Sequence, residues 1–402
     1  MAPASTPSSP IYLDHAASTP LRAEALEAML PYLTEAYGNP SSPHALGRRA
    51  RAGLDEARER LAARLNAGPR ELVLTSGGTE ALNLGLKGIA WAGKARGHRI
   101  VMSAVEHHAV SHALQHLAKF GFEVVTLPVD RYGRVDPDQL EASLTDRTIL
   151  VAVQLANNEV GTIQPIAEIA ERVHARRGIL LAVDAVAAAP HLAIDVQALG
   201  VDLLAIAAHK FEGPKGAGAL YLRQGTHLLA QQHGGSQERY RRAGTEDVAA
   251  AVGMAVAYDL AVTGLAEAGE RLRELRERLA DVLLAEDEIQ LTGHPVDRLP
   301  GLLSVIAPGL DGASVVMALD LAGVAASVGS ACTTGSLEPS HVLTAMGFPV
   351  EEARGSLRLS LGRGTSRADV DGAAKRIRGV LRTQRSAARA MAVDPQGAQV
   401  GA

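Results

Sequence analysis

The chain has 402 residues, of which 47% are apolar and 21% charged, and its formal net charge is −4 at pH 7. This length predicts two or three domains with an ample core. The charge balance gives no electrostatic argument for binding nucleic acid or a membrane surface. The single cysteine excludes an intrachain disulfide framework and a multi-cysteine zinc site, and it is typical of a reducing, cytoplasmic compartment.

The first predicted elements follow a tail at residues 1–10, which we expect to be disordered and which lacks a signal-peptide pattern. Two helices, at 22–37 and 45–65, come next. From about residue 70 to 225, short apolar segments alternate with helix-period segments, including those at 80–95, 107–120 and 166–177. This pattern predicts an α/β fold with a mostly parallel sheet and helices on both faces. The seven predicted strands are 71–75, 99–102, 123–127, 148–153, 179–183, 202–206 and 219–222.

The remainder is predicted to form a smaller α+β domain. It contains a long helical region broken near Gly264, followed by a strand at 302–306, a helix at 314–321, the Cys332 loop, a strand at 356–361 and a helix at 369–388. No apolar run approaches the roughly 20 residues of a membrane span. The predicted domains are a large cofactor-binding domain over 19–262, a small domain of 11–18 with 263–388, and a disordered tail over 389–402.

Lys210 follows the predicted strand 202–206. In parallel α/β sheets, ligands bind beyond the carboxyl ends of the strands. A lysine that is desolvated at such an end can have a lowered pKa and form a Schiff base. The alternative is an ordinary strand-end lysine that extends to solvent.

Other strand ends carry groups that suit the same chemistry. The segment Thr75–Glu80 follows a strand and opens a helix, which suits a phosphate or a simple N-cap. Asp184 ends a strand, where it either meets a protonated pyridine nitrogen or serves as a loop carboxylate. His107 and Asn158 each follow a strand, and each is either a ring contact or an ordinary surface residue. With Lys210, these groups are the set that pyridoxal phosphate requires.

Cys332 lies in a segment of small and polar residues that runs from Ser327 to Ser340. A structural cysteine is normally found in an apolar run, whereas this composition is typical of a mobile, solvent-accessible loop. A thiol in such a loop can act as a nucleophile or carry a group between two places.

The chain resembles the group I (NifS/IscS-type) cysteine desulfurases, pyridoxal-phosphate enzymes of the class V aminotransferase family with aminotransferase fold type I. The resemblance runs from Ile11 to about Ser366. Its most specific motifs are Ser76-Gly-Gly-Thr-Glu80, Glu106-His-His-Ala-Val110, Asn157-Asn-Glu-Val-Gly161, His209-Lys210 with Gly213-Pro-Lys-Gly216, His233-Gly-Gly-Ser-Gln-Glu238, Gly329-Ser-Ala-Cys-Thr333 with Glu338-Pro-Ser340, and Leu357-Arg-Leu-Ser-Leu-Gly362.

The resemblance implies conversion of L-cysteine to L-alanine by a cytoplasmic homodimer. Sulfur would pass to Cys332 as a persulfide, and then to an acceptor such as an iron–sulfur scaffold or a tRNA-thiolation relay. The resemblance also implies that Lys210 binds the cofactor covalently and that His107 stacks on its ring and assists proton transfer. Asp184 would pair with the pyridine nitrogen, and Asn158 would reach the phenolic oxygen.

The remaining implied contacts concern the cofactor phosphate and the substrate. The phosphate would be held by Gly78, Thr79 and His209. Thr245 would reach the phosphate of the neighbouring subunit. Arg358 and Asn39 would hold the substrate carboxylate, a task that suits the bidentate fork of arginine.

Two positions depart from the family pattern: Ala187 stands where the family usually has glutamine, and Ala207 where it usually has serine. Each loss of a hydrogen bond to a charged group costs roughly 1.5–3 kcal/mol, which predicts weaker cofactor binding and slower turnover. The alternatives are a selenocysteine lyase or sulfinate desulfinase, and a cofactor-binding but weakly active sulfur-trafficking partner. The sequence leaves open whether Cys332 transiently ligates an iron–sulfur cluster.

Overall fold

The structure is a computed structural model that describes residues 10–286, 288–329 and 339–393, with side chains to residue 389. It divides into two compact units. The larger unit comprises Ser18–Asn158 and Thr162–Glu267. The smaller unit comprises the described parts of Met1–Ala17, Glu159–Gly161 and Ala268–Ala402.

The regular elements fall close to the predicted segments. The strands are β1 (Ile11–Tyr12), β2 (Leu72–Thr75), β3 (Arg99–Ser103), β4 (Glu123–Leu127), β5 (Thr148–Ala152), β6 (Leu180–Asp184), β7 (Leu203–Ala207), β8 (Gly218–Leu222), β9 (Gln290–Leu291), β10 (Leu302–Ile306), β11 (Val324–Ala325) and β12 (Ser356–Ser360). The helices are α1 (Ala23–Thr34), α2 (Ala45–Arg64), α3 (Gly78–Gly93), α4 (His108–Ala118), α5 (Pro137–Ser143), α6 (Ile166–His174), α7 (Val248–Thr263), α8 (Leu265–Leu284), α9 (Gly312–Leu321), α10 (His341–Ala345), α11 (Val350–Ala353) and α12 (Arg367–Val393).

The larger unit is built on a seven-stranded sheet in the order β2-β8-β7-β6-β5-β3-β4. All neighbouring pairs are parallel except the two that involve β8, which runs antiparallel to β2 and β7. The central strands, such as β5 and β7, are buried on both faces because the helices cover them, and so they are apolar throughout rather than alternating. The edge strand β4 is partly exposed. The predicted fold class is therefore confirmed. As a result, the carboxyl ends of β3, β5, β6 and β7 lie side by side along one edge.

The smaller unit contains a three-stranded sheet in the order β12-β10-β9 and a parallel pair of β1 with β11. A separate apolar cluster fills it, including Leu272, Leu279, Leu303, Leu359 and Ile377. Strands β1, β9 and β11 have two residues each, too few to show a period in sequence.

The end of helix α12 differs from the prediction. A disordered tail is expected from residue 389, but α12 continues to Val393. The residues around this end, Ala387-Ala-Arg-Ala-Met391, are strong helix formers, and nothing in them stops the helix.

In the described part of the chain, no single helix has the length and apolarity to cross a membrane. Helices α7 and α8, taken together across the break between them, pass such a test by length and composition alone.

Candidate active site

Four adjacent strands of the larger unit each end in a predicted site residue or are followed by one within six residues. Asp184 is the last residue of β6, and Lys210 closes the single 3-10 turn, Ala208–Lys210, that follows β7. His107 lies after β3, and Asn158 lies after β5. Because β3, β5, β6 and β7 are neighbours, the fold brings these four residues to the same edge of the sheet.

Asp184 is a buried carboxylate, only 7% exposed. Burial raises its pKa to about 6, while the N–H of Val186, 2.9 Å from Oδ1, and the positive charge of Lys210 act in the opposite direction. Desolvation exceeds both favourable contributions. The Asp184 carboxylate would therefore gain stability as an ion from a further cationic partner.

His107 is held in a defined orientation at the start of α4. Its Nδ1 accepts a hydrogen bond from the N–H of Ala109 at 3.1 Å, so the ring caps the helix. Next to Asn158, the side chain of Asn157 is fully buried and donates to the carbonyl of Val105 at 3.1 Å. The segments after β3 and β5 are thus bonded to each other beneath His107 and Asn158.

The start of α3 has the backbone of an anion-binding loop. Gly77 is the N-cap residue, with φ 149° and ψ 179°, a conformation open essentially only to glycine, and it provides no side-chain cap. At Gly78, a Cβ would lie 2.6 Å from a methyl group of Val186. Thr79 is exposed at this helix start. The free first turn of a helix and its dipole favour a phosphate here.

His209 lies beside Lys210 on the same 3-10 turn. Burial lowers the pKa of its imidazole to about 4, and the positive charges of Lys210 and Lys215 act in the same direction. Its Nδ1 is 3.4 Å from the hydroxyl of Ser18, and its carbonyl accepts from the Thr19 hydroxyl at 2.7 Å. At neutral pH, His209 is therefore an uncharged ring that can donate one hydrogen bond to a phosphate.

Thr245 and Asn39 lie on loops of the larger unit, outside its helices and strands. Exposed Thr245 lines a cavity of about 210 Å³ together with Ser76, Gly216 and Arg242. Exposed Asn39 accepts a hydrogen bond from the N–H of Ser41 at 2.8 Å.

An ion pair connects the loop that carries Thr245 to the first turn of helix α3. Arg242 contacts the Glu80 carboxylate at 2.7 Å, and Glu80 also accepts from the N–H of Ser76. The loop that carries Thr245 is thus joined to the first turn of α3.

Arg358 belongs to β12 of the smaller unit and is 2% exposed, so it is not an ordinary surface arginine. Its guanidinium pairs with Asp14 at 2.8 Å and donates to the Gly329 carbonyl at 3.3 Å. Cys332 lies outside the described residues. On its C-terminal side, the Ser340 hydroxyl donates to the buried carboxylate of Glu159 at 2.5 Å.

Two buried residues near the site had no assigned role in the sequence. Glu106 precedes His107 and is 1% exposed, and Glu238 pairs with Arg58 behind β2. Both lie inside the quoted motifs. The signal that could have singled them out is an acidic residue within an otherwise apolar or small-residue context.

The residues of the larger unit fit pyridoxal phosphate, which carries a phosphate, an aldehyde and a pyridine nitrogen. The glycine-lined start of α3 suits the phosphate, and the Lys210 amine suits the aldehyde. Asp184, whose burial disfavours its ionised form, would be stabilised by a protonated ring nitrogen.

Comparison with known proteins gives a consistent result. The aminotransferase class-V family model matches residues 11–372. The cysteine desulfurase IscS of Methanosarcina thermophila is 48% identical over 367 residues, which is 91% of each chain. A solved NifS-like protein matches with a TM-score of 0.88 at 35% identity, covering 93% of this chain and 100% of its own.

A further solved structure, SspA in complex with cysteine, matches with a TM-score of 0.77 at 33% identity and covers 87% of this chain and 98% of its own. Matches of this identity and coverage identify both the family and the type of enzyme. The chain belongs to the aminotransferase class-V family, as one of its pyridoxal-phosphate-dependent cysteine desulfurases.

Proposed function

We propose that this cysteine desulfurase converts L-cysteine to L-alanine and carries the released sulfur as a persulfide on Cys332. The observation that carries the proposal is the set of adjacent strand ends where the Lys210 amine, the buried Asp184 carboxylate and the His107 ring share one edge. The similarity to SspA, whose structure contains cysteine, supports this substrate class.

In this reaction the side chains of the large unit bind the cofactor and move protons. Pyridoxal phosphate supplies an aldehyde that captures amines and a ring that accepts the electron pair left on Cα. The Lys210 amine would hold the aldehyde covalently and would also be the base that takes the Cα proton of the substrate. Asp184 would keep the ring nitrogen protonated, and His107 would stack on the ring. Asn158 would donate to the phenolic oxygen.

The phosphate and the substrate carboxylate have separate partners in the proposal. The first-turn groups of α3 and the neutral His209 ring bind the phosphate. Arg358 and Asn39 hold the substrate carboxylate, since the guanidinium fork matches a carboxylate in two hydrogen bonds.

Cys332 is the nucleophile that takes up the sulfur. Its thiolate attacks the substrate sulfur, a new S–S bond forms, and the Cβ–S bond of the substrate breaks. The electron pair of that bond stays on the carbon skeleton, which takes up protons and leaves as alanine. The persulfide then passes its terminal sulfur to an acceptor, for which an iron–sulfur scaffold and a tRNA-thiolation relay are the two proposed kinds.

We also propose a cytoplasmic homodimer in which Thr245 reaches the phosphate of the neighbouring subunit. The support is an exposed apolar stripe on and just after α1, where Leu26, Leu30, Leu33 and Tyr37 are all exposed. The spacing of Leu26, Leu30 and Leu33 places these three side chains along one side of the helix, and Tyr37 follows its end. An exposed apolar stripe of this kind marks an interaction surface.

The test is incubation of the full-length protein with L-cysteine, followed by intact mass measurement and an alanine assay. We expect a mass increase of one sulfur atom per chain, matched by alanine, and loss of both in Lys210→Ala. Cys332→Ser should retain the visible absorption of the bound cofactor but carry no sulfur adduct. Full-rate sulfur release by Cys332→Ser would instead favour a selenocysteine lyase or sulfinate desulfinase.

A weakly active sulfur-trafficking partner is the second candidate, and one observation favours it. Ala207 is 1% exposed, and its Cβ lies 3.5 Å from where a Cβ on Gly78 would stand. No hydroxyl is therefore present at this position beside the phosphate loop. Cofactor absorption without alanine formation from cysteine would support this candidate.

A further inference from the structure

Glu106 is a buried carboxyl group directly behind the cofactor edge. It lies between the end of β3 and His107, and it is 1% exposed. Two neutral groups donate to its Oε1, the Ser103 hydroxyl at 2.5 Å and the N–H of Gln154 at 2.8 Å. The first bond lies within the β3 segment, and the second connects it to the segment after β5.

The hydrogen bonds around Glu106 join three neighbouring strand ends. The Val105 carbonyl accepts from the side-chain amide of Gln154 at 2.7 Å and from that of Asn157 at 3.1 Å. The N–H of Leu155 donates to the Asp184 carbonyl at 2.8 Å. Movement of the β3 end would therefore be transmitted to the residues that precede Asn158 and to Asp184.

The protonation state of Glu106 follows from its surroundings. Burial raises its pKa to about 8, and the negative charge of Asp184 acts in the same direction, while the bonds from Ser103 and Gln154 oppose the rise. Asp184, with a pKa of about 6, ionises first as the pH rises. At neutral pH the carboxyl of Glu106 therefore keeps its proton while Asp184 is charged.

We propose that Glu106 is a positioning residue of the cofactor site, held as a neutral carboxylic acid that fixes the β3 end beneath His107 and leaves the negative charge on Asp184. The proposal rests on the proposed function for the roles of His107 and Asp184. An ionised Glu106 would oppose the ionisation of Asp184, because two like charges in a buried site disfavour each other.

The groups that act on this pair come from each neighbouring strand end. Asp184 belongs to β6, and Lys210, which follows β7, stabilises the charge of Asp184. His107 is adjacent to Glu106 in the chain. The segment after β5 contributes the neutral amides of Gln154 and Asn157.

The test compares Glu106→Gln with Glu106→Ala in the full-length protein. An amide can accept from Ser103 and Gln154 and still donate, as a protonated carboxyl does. We expect Glu106→Gln to rescue cofactor binding to within about threefold of the wild type at pH 7, whereas Glu106→Ala should weaken it about tenfold or more because buried donors lose their acceptor. Cofactor dissociation is followed by equilibrium dialysis and visible absorption.

A second measurement keeps the test decisive if Glu106→Ala does not fold. The melting temperature of cofactor-free protein is recorded between pH 7.5 and 8.5, above the pKa of about 6 for Asp184 and above both the ordinary pKa of 6.5 and the lowered pKa of about 4 for His209. A carboxyl group whose pKa is raised by folding stabilises the folded protein only while it keeps its proton. The melting temperature of the wild type should therefore fall as the pH rises over this window. The change of melting temperature with pH should be smaller in Glu106→Gln, because the amide does not titrate.

Any one of three results would overturn the proposal. If Glu106→Gln binds the cofactor as poorly as Glu106→Ala, or if its pH slope equals that of the wild type, the group is not a neutral acid. If Glu106→Ala binds the cofactor as well as the wild type, Glu106 does not position the site. Absence of cofactor absorption in the wild type would contradict the proposed function instead, and the pH slope would still report on Glu106.

Discussion

Two buried carboxylates of the larger unit, Glu238 and Asp184, have opposite surroundings. Glu238 receives two bonds from the Arg58 guanidinium, at 2.5 and 2.9 Å, and a third from the N–H of Leu74 at 3.0 Å. Asp184 receives one backbone N–H, from Val186, and the more remote charge of Lys210, and its pKa is raised to about 6.

The difference distinguishes a structural charge from a functional one. The charge of Glu238 is balanced by another side chain of the same protein, and the pair holds a loop in place. The charge of Asp184 is only partly balanced within the chain, so a cationic ligand group adds stability there. A buried carboxylate that is already paired with an arginine of the same chain, as Glu238 is, can thus be distinguished from one that is not, as at Asp184.

The largest expected effect comes from breaking the structural pair with Glu238→Gln. This change leaves the Arg58 cation buried without a carboxylate, and removal of one partner of a buried pair typically costs about 3–5 kcal/mol of unfolding free energy. Urea unfolding followed by circular dichroism measures the loss. The matched control is Asp55→Asn, which breaks the exposed pair with Arg51 and should cost less than about 0.5 kcal/mol. Equal losses in the two variants would contradict the distinction.

The next largest effect is expected at Asp184, where one substitution should act in opposite directions on the cofactor-free protein and on cofactor binding. The rise of its pKa from the ordinary value of 3.8 to about 6 corresponds to about 3 kcal/mol of stability, lost as the pH rises between these values. Cofactor-free Asp184→Asn should therefore unfold at higher urea than the wild type above pH 6. The Asp184→Asn variant should also bind pyridoxal phosphate about 10–100-fold more weakly than the wild type does, because the proposed charged partner of the ring nitrogen is gone. If Asp184→Asn lowers the stability of the cofactor-free protein as well as that of the cofactor-bound protein, Asp184 has a structural role like that of Glu238.

Tighter cofactor binding is expected when the two alanines that depart from the family pattern, Ala207 and Ala187, are replaced by the usual serine and glutamine. Ala207→Ser places a hydroxyl beside the start of α3, and Ala187→Gln restores the amide that the family usually has. Each new bond to a charged group contributes roughly 1.5–3 kcal/mol, so the double variant should release the cofactor at least about tenfold more slowly. Single variants serve as controls. Unchanged affinity and turnover would show that other groups compensate for the two alanines.

Much of the site could be predicted from the sequence because it depends on local patterns. Strands buried on both faces are short apolar runs, and residues shortly after such runs are expected at the edge of the sheet where ligands bind, the edge at which the structure places Lys210, Asp184 and His107. The Arg58–Glu238 pair could not be predicted, since its partners are 180 positions apart and meet only in the folded chain.

The smallest expected effect concerns the turn that the Arg58–Glu238 pair holds in place. Glu238, Arg239 and Tyr240 have φ values of 45°, 58° and 64°, a left-handed turn made of three residues other than glycine. Such a conformation costs roughly 1–2 kcal/mol per residue and persists only where other contacts impose it. Arg241, whose side chain donates to the Arg70 carbonyl at 2.9 Å, adds a second anchor beside the ion pair.

Tyr240→Gly should therefore stabilise the protein, because glycine adopts positive φ without a Cβ clash. Tyr240 is 77% exposed, so little packing is lost, and after the greater chain entropy of glycine a net gain of about 0.5–1 kcal/mol is expected. The control is Met317→Gly, a change of an equally exposed residue within right-handed α9, which should lose about 1 kcal/mol. The two variants should shift the melting temperature in opposite directions. If both lower it, the turn carries no strain, and the Arg58–Glu238 pair would not be needed to hold it.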